Sequence, residues 1–255
     1  MQFYAINTLW EKLVISLNFY VCAYRFCQEI ELQKVAQVRR STIGWLAEES
    51  FVKQDMDEAA VTDIQFALKG TVLPKDHGYP LFLALVDRMP WIADEPLLGI
   101  HPVQGADLGD GNLILNRRGK LVIRAPRERA AELLTLTGHT FQLCGREFII
   151  GAGKLHSLSW HTPLYAHCIT TGYEDERDFT QAILGELDTY KIDSRFICGK
   201  RQTLTTAQGI EYGYSLMLHG LPMEHALQIQ VHGLGTNRKL GCGIFIPHKS
   251  IVAVS

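Results

Sequence analysis

His232-Gly233-Leu234-Gly235-Thr236-Asn237-Arg238-Lys239-Leu240-Gly241-Cys242-Gly243-Ile244-Phe245 sets four glycines around a basic dipeptide near the end of the chain. Glycine permits positive φ and close backbone approach, and consecutive amide protons can form an anion-binding concavity. A phosphate is a natural ligand for such a loop; a tight turn that uses glycine for geometry alone is the competing reading. Two familiar phosphate motifs fail here. The dinucleotide fingerprint needs a third glycine where Arg238 stands and a helix where a strand is expected, and the P-loop ending Gly-Lys-Ser/Thr is absent.

Working outward, Pro222 is expected to start a helix through Gln230 before the loop, and Cys242 to Ile246 to form a final strand after it. Upstream, Leu164 to Thr170 reads as a strand, Asp175 to Tyr190 as an amphipathic helix, and Arg195 to Lys200 and Glu211 to Leu218 as strands. The same order is legible earlier in the chain. Thr62 to Leu68 alternates with Ile64, Phe66 and Leu68 on one face, and Pro80 fits the first turn of an apolar helix that Pro90 ends. Gly99 to Val103 and either Asn112 to Asn116 or Lys120 to Arg124 supply two strands. Pro126 opens a helix through Leu134, and Phe141 to Leu143 and Phe148 to Ile150 supply strand or hairpin material. Two successive βαββαβ units follow: an α+β chain of tandem ferredoxin-like (RRM-like) domains with a C-terminal glycine-rich loop. The expected division is 56–155 and 156–255, behind an N-terminal extension, 1–55.

That extension carries an apolar run, Leu13 to Tyr24, too short to span a bilayer. It reads as a helix or as sequence ahead of the native start, Met56 being the alternative beginning. The chain has 255 residues, 47% of them hydrophobic and 20% charged, with a net charge of −2. This is the profile of a globular protein without overall basic character. Basic residues are clustered instead: Arg117, Arg118, Lys120, Arg124, Arg127 and Arg129 in one stretch, then Lys200-Arg201, then Arg238-Lys239. Six scattered cysteines include no Cys-x-x-Cys pair, so free thiols and a cytoplasmic location are expected. No cofactor or metal motif stands out. His156 and His161 lie five apart with no matching ligand set, and they and the other histidines read as structural or surface residues.

Gly-Leu-Gly, a basic pair, then Gly-Cys-Gly-Ile-Phe-Ile-Pro over 233 to 247 resembles the C-terminal loop of the CRISPR repeat-RNA endoribonucleases of the RAMP superfamily. Leu73-Pro74-Lys75-Asp76-His77-Gly78-Tyr79, ahead of an apolar helix, is similar to the subtype first described in myxobacteria. The resemblance runs from about residue 61 onward. It implies metal-independent cleavage of CRISPR precursor transcripts within the repeat, leaving 5′-hydroxyl and 2′,3′-cyclic phosphate ends. A histidine near the first helix usually serves in that family, and His77 stands there; Tyr79 is the second catalytic candidate. The chemistry agrees, because 2′-hydroxyl attack needs a proton removed and another delivered, and imidazole does either near neutrality. Lys75 would favour a nearby phosphate and Asp76 would oppose its effect on His77, leaving the histidine's charge open.

RNA contacts are assigned to Arg238, Lys239 and the loop glycines Gly233, Gly235, Gly241 and Gly243. Lys75, Lys200, Arg201, Arg117 and Arg118 follow, since backbone phosphates supply affinity without sequence information. Tyr212 and Tyr214 alternate on one strand and suit either base stacking or core packing. The partner is repeat RNA, as a hairpin or a single strand, with other subunits of an interference complex and no membrane. Two alternatives stand: a non-catalytic RNA-binding subunit of such a complex, and an unrelated enzyme whose loop holds a phosphate ester.

Overall fold

The computed structural model describes residues 60–115 and 119–248; the extension, Met56, Arg117 and Arg118 lie outside these. The first half runs β1 (Val61–Lys69), β2 (Val72–Pro74), α1 (Gly78–Arg88), β3 (Gly99–Ile100), β4 (Ala106–Asp107), β5 (Asn112–Ile114), β6 (Lys120–Pro126), α2 (Ala130–Leu134), β7 (Thr140–Leu143) and β8 (Arg146–His156). The second runs β9 (Leu164–Thr170), α3 (Glu176–Thr189), β10 (Arg195–Thr206), β11 (Gly209–His219), α4 (Met223–His232) and β12 (Ile246–Pro247).

Both halves have the expected ferredoxin-like order. The first sheet is β3-β6-β1-β8 with β7 added at the edge, the second is β10-β11-β9-β12, and every pairing is antiparallel. In each, the first strand of the unit sits between the third and the fourth. Alternation explains the inward faces. On β1, Ile64, Phe66 and Leu68 are buried with Leu81 and Leu85 of α1 and Phe148 and Ile150 of β8. In the second half, Asp175 caps α3 by accepting hydrogen bonds from Arg177 N (2.9 Å) and Asp178 N (3.4 Å). Phe179, Ile183 and Leu187, one turn apart on α3, then pack on Leu164, Ala166, Leu216 and Leu218. Each such fully buried apolar side chain contributes roughly 1.5–3 kcal/mol.

Several elements depart from the sequence reading. Asn112–Ile114 joins a separate three-stranded sheet with β2 and β4, so Lys120–Pro126 is the third strand of the main sheet. Pro126 closes β6 opposite Val61, and a 3-10 turn over Arg127–Arg129 precedes the short α2. β8 continues through Gly151 and Gly153 because its pairing with β1 persists to His156. The segment from Cys242 to Phe245 is loop, with strand only at Ile246–Pro247. Its polar groups bond elsewhere: Gly243 N donates to Cys168 O at 2.8 Å, and Phe245 O accepts from Arg124 at 2.9 Å.

Arg124 joins the two halves. Only 1% exposed, it donates to both carboxylate oxygens of Asp63 (2.7 and 2.9 Å) and to the carbonyls of Gln230 and Phe245, each at 2.9 Å. Burial alone would raise the Asp63 carboxyl. The hydrogen bonds and charge of Arg124, with His101 adding to them, overcome it and hold Asp63 well below the usual carboxylate range. An arginine that stands in a basic cluster of the sequence is thus the largest fully buried side chain among the described residues.

Candidate RNA-processing site

The first turn of α1 rests on the glycine-rich loop. A Cβ on Gly78 would lie 2.2 Å from Leu240 O, so only glycine allows this approach. The loop is stitched to itself and to β9. A Cβ on Gly235, at φ +72°, would lie 2.3 Å from Thr170 O, while one on Gly233 would lie 2.3 Å from Gly243 O and one on Gly243 2.2 Å from Leu234 O. Asn237 takes the left-handed conformation and donates to Thr170 Oγ1 (3.0 Å) and Glu211 Oε2 (2.9 Å).

These bonds correct the expectation of an anion-binding concavity. The amides of Gly233, Gly235, Gly241 and Gly243 already donate to Ile229 O, Glu186 Oε2, Arg238 O and Cys168 O. Glycine serves here for close packing. Arg238 turns inward: Nη1 donates to Val231 O at 2.6 Å, and Nε and Nη2 are buried without a hydrogen-bond partner. Burial, with the charge of Arg124, pulls its pKa down to about 10. Lys239 reaches Ala93 O, and burial lowers its pKa also.

A cleft of about 590 Å³ opens between the start of α1 and the outer face of the second sheet. Lys75, His77, His101, His167 and Lys200 line it. His77 is 4% exposed and holds both ring nitrogens on backbone: Nδ1 lies 2.8 Å from Pro74 O, and Nε2 accepts from Val103 N at 3.0 Å. A carbonyl can only accept and an amide only donate, so the proton sits on Nδ1 and the ring is neutral. Burial pulls its pKa below the ordinary imidazole value, against the Pro74 and Lys75 backbone and the Asp76 charge; His167 adds to the lowering. Asp76 itself accepts from Thr205 N of β10 at 3.0 Å, tying this turn to the second half.

The structure separates the two catalytic candidates. Tyr79 lines a neighbouring cleft of about 430 Å³ with Phe82, Thr236, Asn237 and Lys239, away from His77. Residues two apart at a helix start face different ways. Lys75 is exposed and ion-paired with Asp107; Arg201 is exposed, pairs with Glu174 and stacks on Tyr212 at 4.1 Å. Tyr214 is core: buried against Phe179, its hydroxyl donates to Glu174 O at 2.8 Å, which excludes base stacking.

Two histidines read as structural or surface residues join the cleft. His101 lies with Nε2 3.6 Å from Asp63 Oδ1, beyond a direct hydrogen bond, and burial lowers its pKa. His167 stands exposed on β9, on the face opposite Leu164 and Ala166. The alternation of that strand could have placed His167 outward; nothing local could have shown what it faces.

Residues 62–250 match the family model described as Cas6 Crispr. The CRISPR-associated endonuclease Cas6 of Myxococcus xanthus (strain DK1622) is 32% identical over 186 residues, covering 72% of this chain and 80% of the relative. Among solved structures, a RAMP protein described as binding different RNA substrates superposes with a TM-score of 0.56 at 17% identity, covering 74% of this chain and 100% of that one. A Cas6-related protein from Pyrococcus furiosus gives 0.54 at 15% identity, covering 72% and 97%.

Proposed function

The chain belongs to the Cas6 family, and from that premise we propose that it is an endoribonuclease that cleaves CRISPR precursor transcripts within the repeat, without a metal ion. The observation that carries the reading is the His77 turn. It packs on the glycine-rich loop and opens onto a cleft that also holds Lys75 and Lys200. The 2′-hydroxyl attacks its own phosphodiester, the 2′-oxygen to phosphorus bond forms as the bond to the 5′-oxygen breaks, and a 2′,3′-cyclic phosphate and a 5′-hydroxyl result. His77 is the proton acceptor. The Pro74 carbonyl fixes the proton on Nδ1 and leaves Nε2 basic, and burial keeps the ring neutral as a base must be. The 2′-hydroxyl takes the place of Val103 N at Nε2, a tightening of geometry that substrate binding brings about in many catalytic sites.

Lys75 and Lys200 hold phosphates at the mouth of the cleft, with Arg201 and Lys239 further out. Tyr79 contributes to RNA contact from the neighbouring cleft. The test is product analysis on repeat RNA from the same locus, in EDTA. Cyclic phosphate and 5′-hydroxyl ends are expected, with no cleavage when the scissile nucleotide is 2′-deoxy. Cleavage of the deoxy substrate, or a requirement for added metal, overturns the mechanism.

A second reading has its own observation. With both ring nitrogens on backbone groups, His77 is also what a purely structural histidine looks like, and the chain would then be a non-catalytic RNA-binding subunit. Tight, salt-sensitive repeat binding without cleavage would establish it.

A further inference from the structure

We propose that His167 is a second proton-transfer residue of this cleft, the general acid that protonates the departing 5′-oxygen; the inference rests on the endoribonuclease reading above. Cleavage by 2′-hydroxyl attack needs two proton transfers on opposite sides of phosphorus, and one imidazole in its neutral form supplies only the first. The three histidines of the cleft differ in what their nitrogens are free to do. His77 has both engaged by Pro74 O and Val103 N. His101 lies buried against Asp63 and Arg124, on the inner wall that joins the two halves. His167 is exposed, lines the cleft from the opposite wall, and has no hydrogen bond or ion pair among the described residues.

Its placement follows from the strand. β9 turns Leu164 and Ala166 into the core of the second half, which sends Tyr165 and His167 to the other face and into the cleft. His77 comes from the first half and His167 from the second, so RNA lying in the cleft meets one imidazole on each wall. The two are close enough to interact, a charge on His167 disfavouring one on His77. Once one ring takes a proton the other is held neutral, the division of labour an acid and a base require. Partial burial lowers the pKa of His167 in the free protein. The negative phosphodiester, and more so the charge that builds on it as the 2′-oxygen attacks, favours the protonated ring. Protons balance: His77 receives one from the 2′-hydroxyl, His167 gives one to the 5′-oxygen, and exchange with water restores both.

The experiment compares repeat RNA carrying the natural 5′-oxygen at the scissile bond with the same RNA carrying a bridging 5′-sulfur there, whose departure needs no proton. Wild type, His167→Ala, His167→Gln and His77→Ala are each measured in single turnover, with RNA affinity alongside. Both His167 variants are expected to cut the oxygen substrate about 100-fold or more slowly at unchanged affinity, and to recover most of that loss on the sulfur substrate. His77→Ala is expected to stay slow on both. The proposal is overturned if the His167 variants cut natural RNA within about threefold of wild type, if they are equally slow on both substrates, or if affinity falls instead. Should wild type itself cut neither RNA, it is the endoribonuclease reading that fails.

Discussion

Replacing Arg124 by Met keeps an unbranched apolar stem, shorter than arginine, and deletes the charge and four hydrogen bonds. Asp63 would be left as a largely buried carboxylate facing only His101, and the carbonyls of Gln230 and Phe245 would lose their shared donor. Removing one partner of a buried pair costs about 3–5 kcal/mol, most of it the penalty of the charge left behind. Because the carbonyls lie across the junction, the loss falls on the contact between the halves and on the loop that ends at Phe245. For a unit of about 200 residues, 1 kcal/mol corresponds to roughly 2–4 °C, so a melting temperature lower by about 6–20 °C is expected. Urea unfolding gives the free energy directly. Adding Asp63→Asn to the variant removes the stranded charge, and about half of the loss should return. A single variant within about 1 kcal/mol of wild type would refute the clamp.

Three further outcomes follow from the site. Burial depresses the pKa of His77 and of His101, so both take a proton more readily in the unfolded chain. Their contribution is therefore present above the unfolded value of about 6.5 and is lost as pH falls below it, by up to about 1.4 kcal/mol per pH unit for each. Urea unfolding at several pH values between about 7.5 and 5.5 should show this decline, shallower in His101→Gln; a flat profile would contradict it. Gly78→Ala forces a methyl within 2.2 Å of Leu240 O, and should separate α1 from the loop at a cost of about 1–3 kcal/mol, with cleavage reduced beyond what stability explains. Lys200→Ala should weaken RNA binding and reduce the salt dependence of log affinity by about one unit; an unchanged slope would place Lys200 outside the phosphate path.

Much of the fold was legible because alternation and caps speak locally. Ile64, Phe66 and Leu68 declared β1, and Asp175 with Phe179, Ile183 and Leu187 declared α3. β3 was legible only as a vague strand, since a two-residue strand beside a glycine has no period to detect, and Asn112–Ile114 looked as strand-like as Lys120–Pro126 until pairing chose between them. The glycine-rich loop stood out by its spacing, but where its amides bond was not legible. Its amides bond to Glu186, β9 and the loop itself, partners distant in sequence or invisible as acceptors. Arg124 read as one of a basic cluster and Arg238 as an RNA contact, because sequence cannot show that the outer face of β6 is covered by the other half or that Arg238 turns in to Val231 O. His77 was proposed from its place before α1, whereas His101 and His167 line the same cleft only through tertiary packing.

The most direct test is single-turnover cleavage of repeat RNA from the same locus, in EDTA, by wild type and by His77→Ala, with RNA affinity measured for both. The account predicts EDTA-resistant cleavage by wild type and a loss of roughly 100-fold or more in the variant at unchanged affinity. Equal rates for the two proteins would make His77 a structural residue, and wild type that binds without cutting would contradict the nuclease assignment itself.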